Sequence, residues 1–362
     1  MSAWGKRPGM RIHEREPLNA EPPAAALAER AITPLDAFYV RNHGPVPEAS
    51  DGWRLTVDGL VERELELTPE ELRDRFPEHE VLATLECAGN RRTGLTAVHA
   101  IPGEAAWGPG AVSTARWTGV RLADVLAAAG LRPGTAHIAF AAPDRAPGAN
   151  PPQPYGGSVP VGKALGGEVL LAWGMNGQPL PAVHGAPLRA VVPGWIGARS
   201  VKWLRRVTAQ VTPSDNYFQT TAYRLLPPGA DPECAAPGEG ITLGPLALNC
   251  ALLQPDGSAP LPPGTTRVTG YALAEDCRDV VRVEVSADGG ATWAPAAFEG
   301  PAEPWSWRRW HADVLLYEGE TELVARAWDA TGAVQPETAE CVWNPKGYVN
   351  TSWPRVRVRC VR

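Results

Sequence analysis

Glycine and proline are spread so densely along this chain that few long helices can form. The 362 residues include 37 glycines and 38 prolines, and one or the other recurs every few positions through most of the sequence. Proline breaks the interior of a helix and glycine weakens it. The pattern therefore predicts an α+β fold that is rich in strands and loops, with short helices at residues 69–74, 122–129 and 161–165.

A stretch rich in proline and glycine at residues 225–240 has the composition of an ordered linker between two domains. Beyond it, apolar and polar residues alternate in short runs, which predicts strands at residues 266–272, 280–286, 292–295, 307–314 and 321–329. An immunoglobulin-like β-sandwich needs about 100 residues, and this part of the chain provides them. We therefore predict an N-terminal extension at residues 1–35, a first domain at residues 36–238 and an immunoglobulin-like domain at residues 239–362.

Charge and composition exclude several classes of protein. The net charge is −6, from 34 basic and 40 acidic residues, so no general attraction to nucleic acid or to an anionic membrane is expected. No apolar run approaches the roughly 20 residues that a membrane span needs. The first 33 residues lack an export signal, which predicts a cytoplasmic location. The six cysteines form no Cys-x-x-Cys pair, and neither a Gly-x-Gly-x-x-Gly nor a Walker motif is present, so zinc and nucleotide sites are disfavoured.

The strongest chemical motif lies at residues 84–92, where Cys87 ends an apolar run and is followed by turn residues, Arg91 and Arg92. Neighbouring guanidinium groups lower the pKa of a thiol, and the planar fork of arginine suits oxyanions such as sulfite, sulfate and phosphate. The motif predicts a thiolate beside an anion site. The alternative at this point is a buried structural cysteine with two surface arginines.

Three further segments of the first domain place cations and hydrogen-bonding groups among turns, at residues 38–43, 184–189 and 193–202. Together with the cysteine motif they offer one thiolate and at least six cations or potential cations. A cysteine nucleophile for acyl transfer needs a histidine base and an orienting carboxylate or carboxamide, which is a different set. The set fits a large phosphorylated cofactor together with an oxyanion substrate.

These motifs resemble those of the sulfite oxidase family, in which a molybdenum domain is followed by a dimerisation domain. The strongest matches are Arg41-Asn42-His43 and the string from Cys87 to Arg92, supported by residues 173–181, 184–189, 193–202 and 343–347 in the same order. The resemblance covers the chain from residue 36 onwards. It implies a molybdopterin-binding catalytic domain at residues 36–238 and an immunoglobulin-like dimerisation domain at residues 239–362.

The resemblance also implies roles for individual residues. Cys87 is implied to ligate molybdenum beside the two sulfurs of molybdopterin, which suits a soft thiolate ligand. The residues implied to hold the pterin and its phosphate are Tyr39, Val40, Arg41, Asn42, His43, Cys87, Asp144, His184, Arg189, Ser200, Val201 and Lys202. The residues implied to act on the substrate are Arg41, Cys87, Arg92, Trp107, Tyr223 and Lys346.

The implied reaction is the oxidation of sulfite to sulfate by oxygen-atom transfer. No haem domain is expected before residue 36, so electrons are expected to pass to an external acceptor such as a cytochrome or dioxygen, and a homodimer is implied. Lys346 stands where sulfite-oxidising members usually carry arginine, which leaves nitrate or an S-oxide as an alternative substrate. An inert two-domain binding module is the alternative from another class. The cysteines other than Cys87 are expected to be small buried apolar residues, namely Cys234, Cys250, Cys277, Cys341 and Cys360.

Overall fold

The computed structural model describes residues 3–48, 52–275 and 278–362, and short strands dominate it. The helices are α1 (Ala24–Ala28), α2 (Pro69–Arg75), α3 (Arg92–Thr96), α4 (Leu122–Ala129) and α5 (Val161–Ala164). Helix α2 begins at a capping box in which Thr68 and Glu71 each bond the other's backbone N–H, and proline occupies the position after the cap. The three predicted helices are confirmed as α2, α4 and α5, and the longest of them has eight residues.

The first part of the chain forms two five-stranded sheets and two antiparallel two-stranded pairs. Its strands are β1 (Arg11–Arg15), β2 (Leu18–Glu21), β3 (Leu55–Gly59), β4 (Leu65–Leu67), β5 (Glu78–Glu86), β6 (Val112–Arg121), β7 (His137–Ala146), β8 (Gln153–Pro160), β9 (Leu170–Met175), β10 (Gln178–Pro179), β11 (Arg189–Val191), β12 (Arg206–Gln210), β13 (Arg224–Leu225) and β14 (Ile241–Thr242). One sheet has the order β10-β9-β6-β5, with β11 also paired to β9, and the other has the order β4-β3-β12-β7-β8. Their shared core includes Leu55, Val120, Phe140 and Val207.

The second part of the chain is the predicted β-sandwich. Its strands are β15 (Asn249–Gln254), β16 (Gly264–Leu273), β17 (Val280–Ser286), β18 (Ala294–Pro295), β19 (Ala297–Phe298), β20 (Arg308–Leu316), β21 (Gly319–Asp329) and β22 (Arg355–Cys360). They form two four-stranded sheets, β15-β16-β20-β19 and β18-β17-β21-β22. Val268, Val283, Trp310, Leu323 and Val358 are buried between the sheets because alternate residues of a strand face the same side. The predicted strand-rich α+β fold with an immunoglobulin-like sandwich is confirmed.

The N-terminal segment, residues 3–48, packs against both parts of the chain. Its Thr33 N–H donates to the carbonyl of Thr114 in strand β6 at 2.8 Å. The indole of Trp307 in the sandwich donates to the carbonyl of Ala31 at 2.9 Å. This segment is therefore part of the folded body, and the boundary at residue 35 stays a prediction.

The prediction for the cysteines outside the motif is partly wrong. Cys250 and Cys360 are buried in the sandwich, but Cys234 and Cys341 are exposed. Cys234 lies in the linker rich in proline and glycine, and Cys341 lies in a 3-10 turn, Ala339–Val342, that buries no residue, so neither has a core to enter. Cys277 lies outside the described residues. Among the residues that the structure describes, none of the helices has the length and apolar character needed to cross a lipid bilayer.

Candidate active site

A cleft in the first domain gathers most of the predicted site residues from distant parts of the sequence. Strand β5 leads into it with Cys87, and strand β7 of the other sheet contributes Asp144. The predicted residues that line the cleft are Tyr39, Arg41, Asn42, His43, Cys87, Asp144, His184, Arg189, Ser200, Lys202 and Tyr223. Both sheets therefore contribute to one polar site.

Cys87 follows the last residue of β5 and is held by the turn after it. Its N–H donates to the carbonyl of Ala111 at 2.9 Å, and its Sγ accepts from the N–H of Gly89 at 3.4 Å. The side chain is 8% exposed. Burial raises the pKa of the Cys87 thiol, and this outweighs the lowering by Arg92 and Arg41. The prediction that the neighbouring arginines lower the pKa of this thiol is therefore wrong for the polypeptide alone, because desolvation has the larger effect.

The two arginines of the cysteine motif point in different directions. Arg91 has a positive φ of 60° and sends its guanidinium towards the sandwich, where it donates to the carbonyls of Cys250 at 2.9 Å and Ser352 at 2.8 Å. Arg92 begins helix α3, and its charge acts on Cys87. Only the second arginine belongs to the site, so the motif contains one structural arginine and one site arginine.

Arg92 is held by backbone and by a carboxylate. Its Nε donates to the carbonyl of Gly347 at 3.1 Å and its Nη1 to that of Ala105 at 2.8 Å. Its Nη2 lies 3.3 Å from Oε2 of Glu104. The guanidinium also lies over the ring of Tyr348, 5.2 Å from its centroid.

Of the predicted substrate residues Lys346, Trp107 and Tyr223, Tyr223 lines the cleft with Cys87, and the other two are not among its lining residues. Lys346 donates from Nζ to the carbonyl of Ala222 at 3.2 Å, and burial lowers the pKa of its ammonium. Trp107 is buried in the same apolar cluster as Cys87, with its ring 4.4 Å from that of His13. The hydroxyl of Tyr223 lies 2.8 Å from Nε2 of His43, and burial raises the pKa of Tyr223, so the phenol stays protonated.

Val40 and Val201 lie beside the cleft but do not line it with their side chains. Val40 is buried against Leu18 and Val183, and the carbonyl of Val201 accepts from the N–H of Ala190 at 2.8 Å. Their side chains pack into the interior. Any contact of these two residues with a ligand would come from their backbone.

One end of the cleft is strongly cationic. Arg189 donates from Nη1 to the carbonyl of His184 at 2.8 Å and from Nη2 to that of Ser200 at 2.9 Å, and burial lowers its pKa to about 10. Lys202 contacts the side-chain oxygen of Asn42 and donates to the carbonyl of Arg41 at 3.1 Å. Burial and Arg189 hold the pKa of Lys202 well below its ordinary value. Such buried cations suit an anionic group of a ligand.

Asp144 faces these cations with an unused acceptor. Its Oδ1 is buried and has no hydrogen-bond partner among the described residues. Burial raises the pKa of Asp144, and Lys202 lowers it. A buried acceptor without a donor is costly, so this atom fits a ligand with N–H groups.

The donor set also bears on a metal. No group of three or more His, Cys, Asp and Glu side chains suited to a metal ion occurs in the described parts of the chain. The thiol of Cys87 is the soft ligand that the cleft offers. A metal here would therefore need most of its ligands from a cofactor.

Sequence reasoning missed several residues that shape the cleft. Lys6 is buried and donates to Phe38 O at 2.9 Å, and its Nζ lies 2.7 Å from His184 Nε2. Tyr155 stacks on His43 at 4.9 Å and donates to the carbonyl of Ala198 at 2.8 Å. Lys6 stands alone in the sequence, without a motif around it, so no pattern could have identified it.

Comparison with known proteins gives two family matches along the chain. Residues 43–218 match the family described as oxidoreductase molybdopterin binding domain. Residues 243–361 match the family described as Mo-co oxidoreductase dimerisation domain.

Several characterised relatives cover almost the whole chain. Sulfite oxidase of Gallus gallus is 44% identical over 97% of this chain and 78% of its own length. Mitochondrial sulfite oxidase of Homo sapiens is 40% identical over 98% of this chain and 66% of its own. Nitrate reductase [NAD(P)H] of Hordeum vulgare is 38% identical over 99% of this chain but only 43% of its own. The sulfane dehydrogenase SoxCD of Paracoccus pantotrophus has a similar structure, with a TM-score of 0.81, 29% identity, and coverage of 99% of this chain and 87% of that one.

Proposed function

This chain belongs to the sulfite oxidase family of molybdopterin-dependent oxidoreductases, and from that premise we propose that it oxidises sulfite to sulfate by oxygen-atom transfer and passes the electrons to an external acceptor. The observation that carries the proposal is the position of Cys87 in a cleft whose walls hold Arg41, Lys202 and the unpartnered oxygen of Asp144. A soft thiol, buried cations and an unpartnered acceptor suit a metal-bearing, phosphorylated cofactor with N–H groups such as molybdopterin.

Each part of the cofactor has residues suited to it. Cys87 would ligate the molybdenum, and His184, Arg189 and Lys202 would bind the phosphate of the pterin. Asp144 would accept from an N–H of the pterin ring system, which would give its buried oxygen a donor. When bound, the cofactor supplies the oxygen-atom transfer and the accompanying two-electron change.

The protein's own contribution is the placement of charge around the substrate. Arg41, Arg92 and Lys346 would attract the sulfite oxyanion and stabilise the sulfate that forms. Tyr223 would donate a hydrogen bond from its phenol, since burial raises its pKa and keeps it protonated. Trp107 would form a wall that excludes water from this pocket.

Lys346 supports a second candidate, the reduction of nitrate or of an S-oxide. Lysine presents a point charge with three donors, whereas arginine offers a planar fork that orients an oxyanion through two bonds. The similarity to nitrate reductase of Hordeum vulgare also favours keeping this candidate. Comparing sulfite oxidation with nitrate and S-oxide reduction in one dye-coupled assay separates the two.

The test of the main proposal combines metal analysis with turnover. Purified protein should contain molybdenum and reduce an artificial electron acceptor when sulfite is added, and Cys87→Ser should lose this turnover with an unchanged circular dichroism spectrum. Cys250→Ser is the matched control, because Cys250 is also buried but lies in the sandwich. A wild-type protein without molybdenum, or full turnover by Cys87→Ser, would reject the proposal.

Three further expectations belong to the same proposal. The domain boundaries after residues 35 and 238, a cytoplasmic location and a homodimer formed through residues 239–362 stay predictions. The similarity of residues 243–361 to a dimerisation domain supports the homodimer, which light scattering would test. Comparing reduction of a cytochrome with consumption of dioxygen would identify the class of the acceptor.

A further inference from the structure

The guanidinium of Arg92, the arginine proposed to bind the substrate, has a protein partner at each of its three nitrogens. Two of these partners are carbonyls fixed by the backbone, Gly347 O at 3.1 Å and Ala105 O at 2.8 Å. The third is the carboxylate of Glu104, at 3.3 Å from Nη2. A guanidinium has five N–H groups, two of them on Nη2, so an oxyanion that binds at Nη2 would compete with the Glu104 carboxylate.

Glu104 is the partner that can be replaced. It belongs to the loop between helix α3 and strand β6, next to the exposed residues Pro102 and Gly103. Its side chain is 24% exposed, whereas that of Arg92 is 3% exposed. A partly exposed carboxylate on a surface loop can rotate into water by itself, whereas a main-chain carbonyl moves only together with its backbone.

The charge of Glu104 also acts on the rest of the pocket. Burial lowers the pKa of Lys346 and Glu104 raises it, so the carboxylate lies near this second substrate cation. One carboxylate thus acts on all three cations proposed to bind substrate, Arg92, Lys346 and Arg41.

We propose that Glu104 is a competing carboxylate, which occupies the oxyanion position on Arg92 when the pocket is empty and lowers the affinity of the pocket for the product sulfate. This inference rests on the proposed function. Substrate binding would exchange one anion for another on Arg92, so the buried guanidinium would keep a negative partner throughout the cycle. Repulsion between Glu104 and a bound dianion would favour its release.

The test is the binding of sulfate by purified holoprotein, measured by isothermal titration calorimetry for wild type and for Glu104→Gln. Glutamine keeps the shape of the side chain and removes its charge. We expect Glu104→Gln to bind sulfate about tenfold more tightly, which corresponds to about 1.4 kcal/mol. The KM for sulfite and the inhibition constant for sulfate should fall in the same direction.

Glu299→Gln is the matched control. Glu299 forms an ion pair with Arg309 at 3.1 Å, with side-chain exposures of 34% and 12%, but this pair lies in the sandwich. Its removal should leave sulfate affinity unchanged. If Glu104→Gln does not fold, Glu104→Asp, which retracts the carboxylate by one methylene group, should still tighten sulfate binding, by a smaller factor.

Unchanged or weaker sulfate binding by the folded Glu104 variants would overturn the inference, because Glu104 would then only hold Arg92 in place. The calorimetric measurement does not depend on turnover. If the wild-type protein binds sulfate but does not oxidise sulfite, the proposed function is rejected. The sulfate affinities of the Glu104 variants then still decide whether Glu104 competes with an oxyanion for Arg92.

Discussion

Replacing Arg91 with methionine should weaken the joint between the two domains and leave the substrate pocket intact. The guanidinium is buried and donates to three backbone carbonyls, Cys250 O at 2.9 Å, Ser352 O at 2.8 Å and Asn350 O at 3.3 Å. A hydrogen bond from a charged donor contributes about 1.5 kcal/mol or more, and its loss here also leaves buried carbonyls without a donor. Burial lowers the pKa of Arg91, which shows that the desolvated charge itself is costly and offsets part of this gain.

The expected net loss is about 3 kcal/mol in the free energy of unfolding. An unfolding entropy of about 2.1 cal/mol/K per residue gives about 1.3 °C for each kcal/mol in a chain of 362 residues, so the unfolding temperature of Arg91→Met should fall by about 4 °C. Differential scanning calorimetry measures this change, and the KM for sulfite should stay close to that of wild type. Arg92→Gln provides the contrasting variant, because it should raise the KM sharply and cut kcat/KM. If Arg91→Met keeps the unfolding temperature of wild type but has a raised KM for sulfite, the assignment of Arg91 to structure and Arg92 to the site is refuted.

Three further predictions concern the surroundings of the cysteine. Burial raises the pKa of Glu86 to about 7, so the folded state binds this proton more tightly than the unfolded state. The unfolding free energy should therefore decrease as the pH rises from 4.5 to about 7, by at most about 1.4 kcal/mol for each pH unit. Glu86→Gln should flatten this decrease in urea titrations at several pH values, and an unaltered slope would contradict it. In Gly89→Ala the added Cβ would lie 2.5 Å from Nη2 of Arg92. The displaced guanidinium should raise the KM for sulfite at least about tenfold. A KM equal to that of wild type would show that the guanidinium adapts to the added methyl group. Lys346→Arg should lower the KM for sulfite about threefold, because it introduces a planar guanidinium that can bind an oxyanion through two hydrogen bonds. Faster nitrate reduction by this variant would instead favour the second candidate function.

Much of the fold follows from local sequence patterns. Helix α2 was predictable because Thr68, Pro69 and Glu71 form a complete start signal, and strand β17 was predictable because Val280–Ser286 alternates before an Asp-Gly-Gly turn. Both features act within a few residues, so they do not depend on the tertiary structure. The exposed Cys234 and Cys341 could not be predicted in this way, because burial depends on whether a core lies nearby.

The site was predictable only where its residues belong to motifs. Arg41, Cys87 and His184 stand in such strings, and the structure brings them to one cleft. Glu104 could not be recognised, because a single acidic residue in a loop is ordinarily a solvated surface group. The pKa of Cys87 could not be predicted either, since the balance between desolvation and two guanidinium charges depends on depth.

The contact between Lys6 and His184 also constrains the order of events during biosynthesis. The two residues are separated by 178 positions in the chain, and their nitrogen atoms lie 2.7 Å apart. While translation proceeds from the N-terminus, this contact cannot form until His184 has emerged from the ribosome. Lys6 must therefore wait for a partner that is synthesised much later, and completion of the pocket is a late step of maturation.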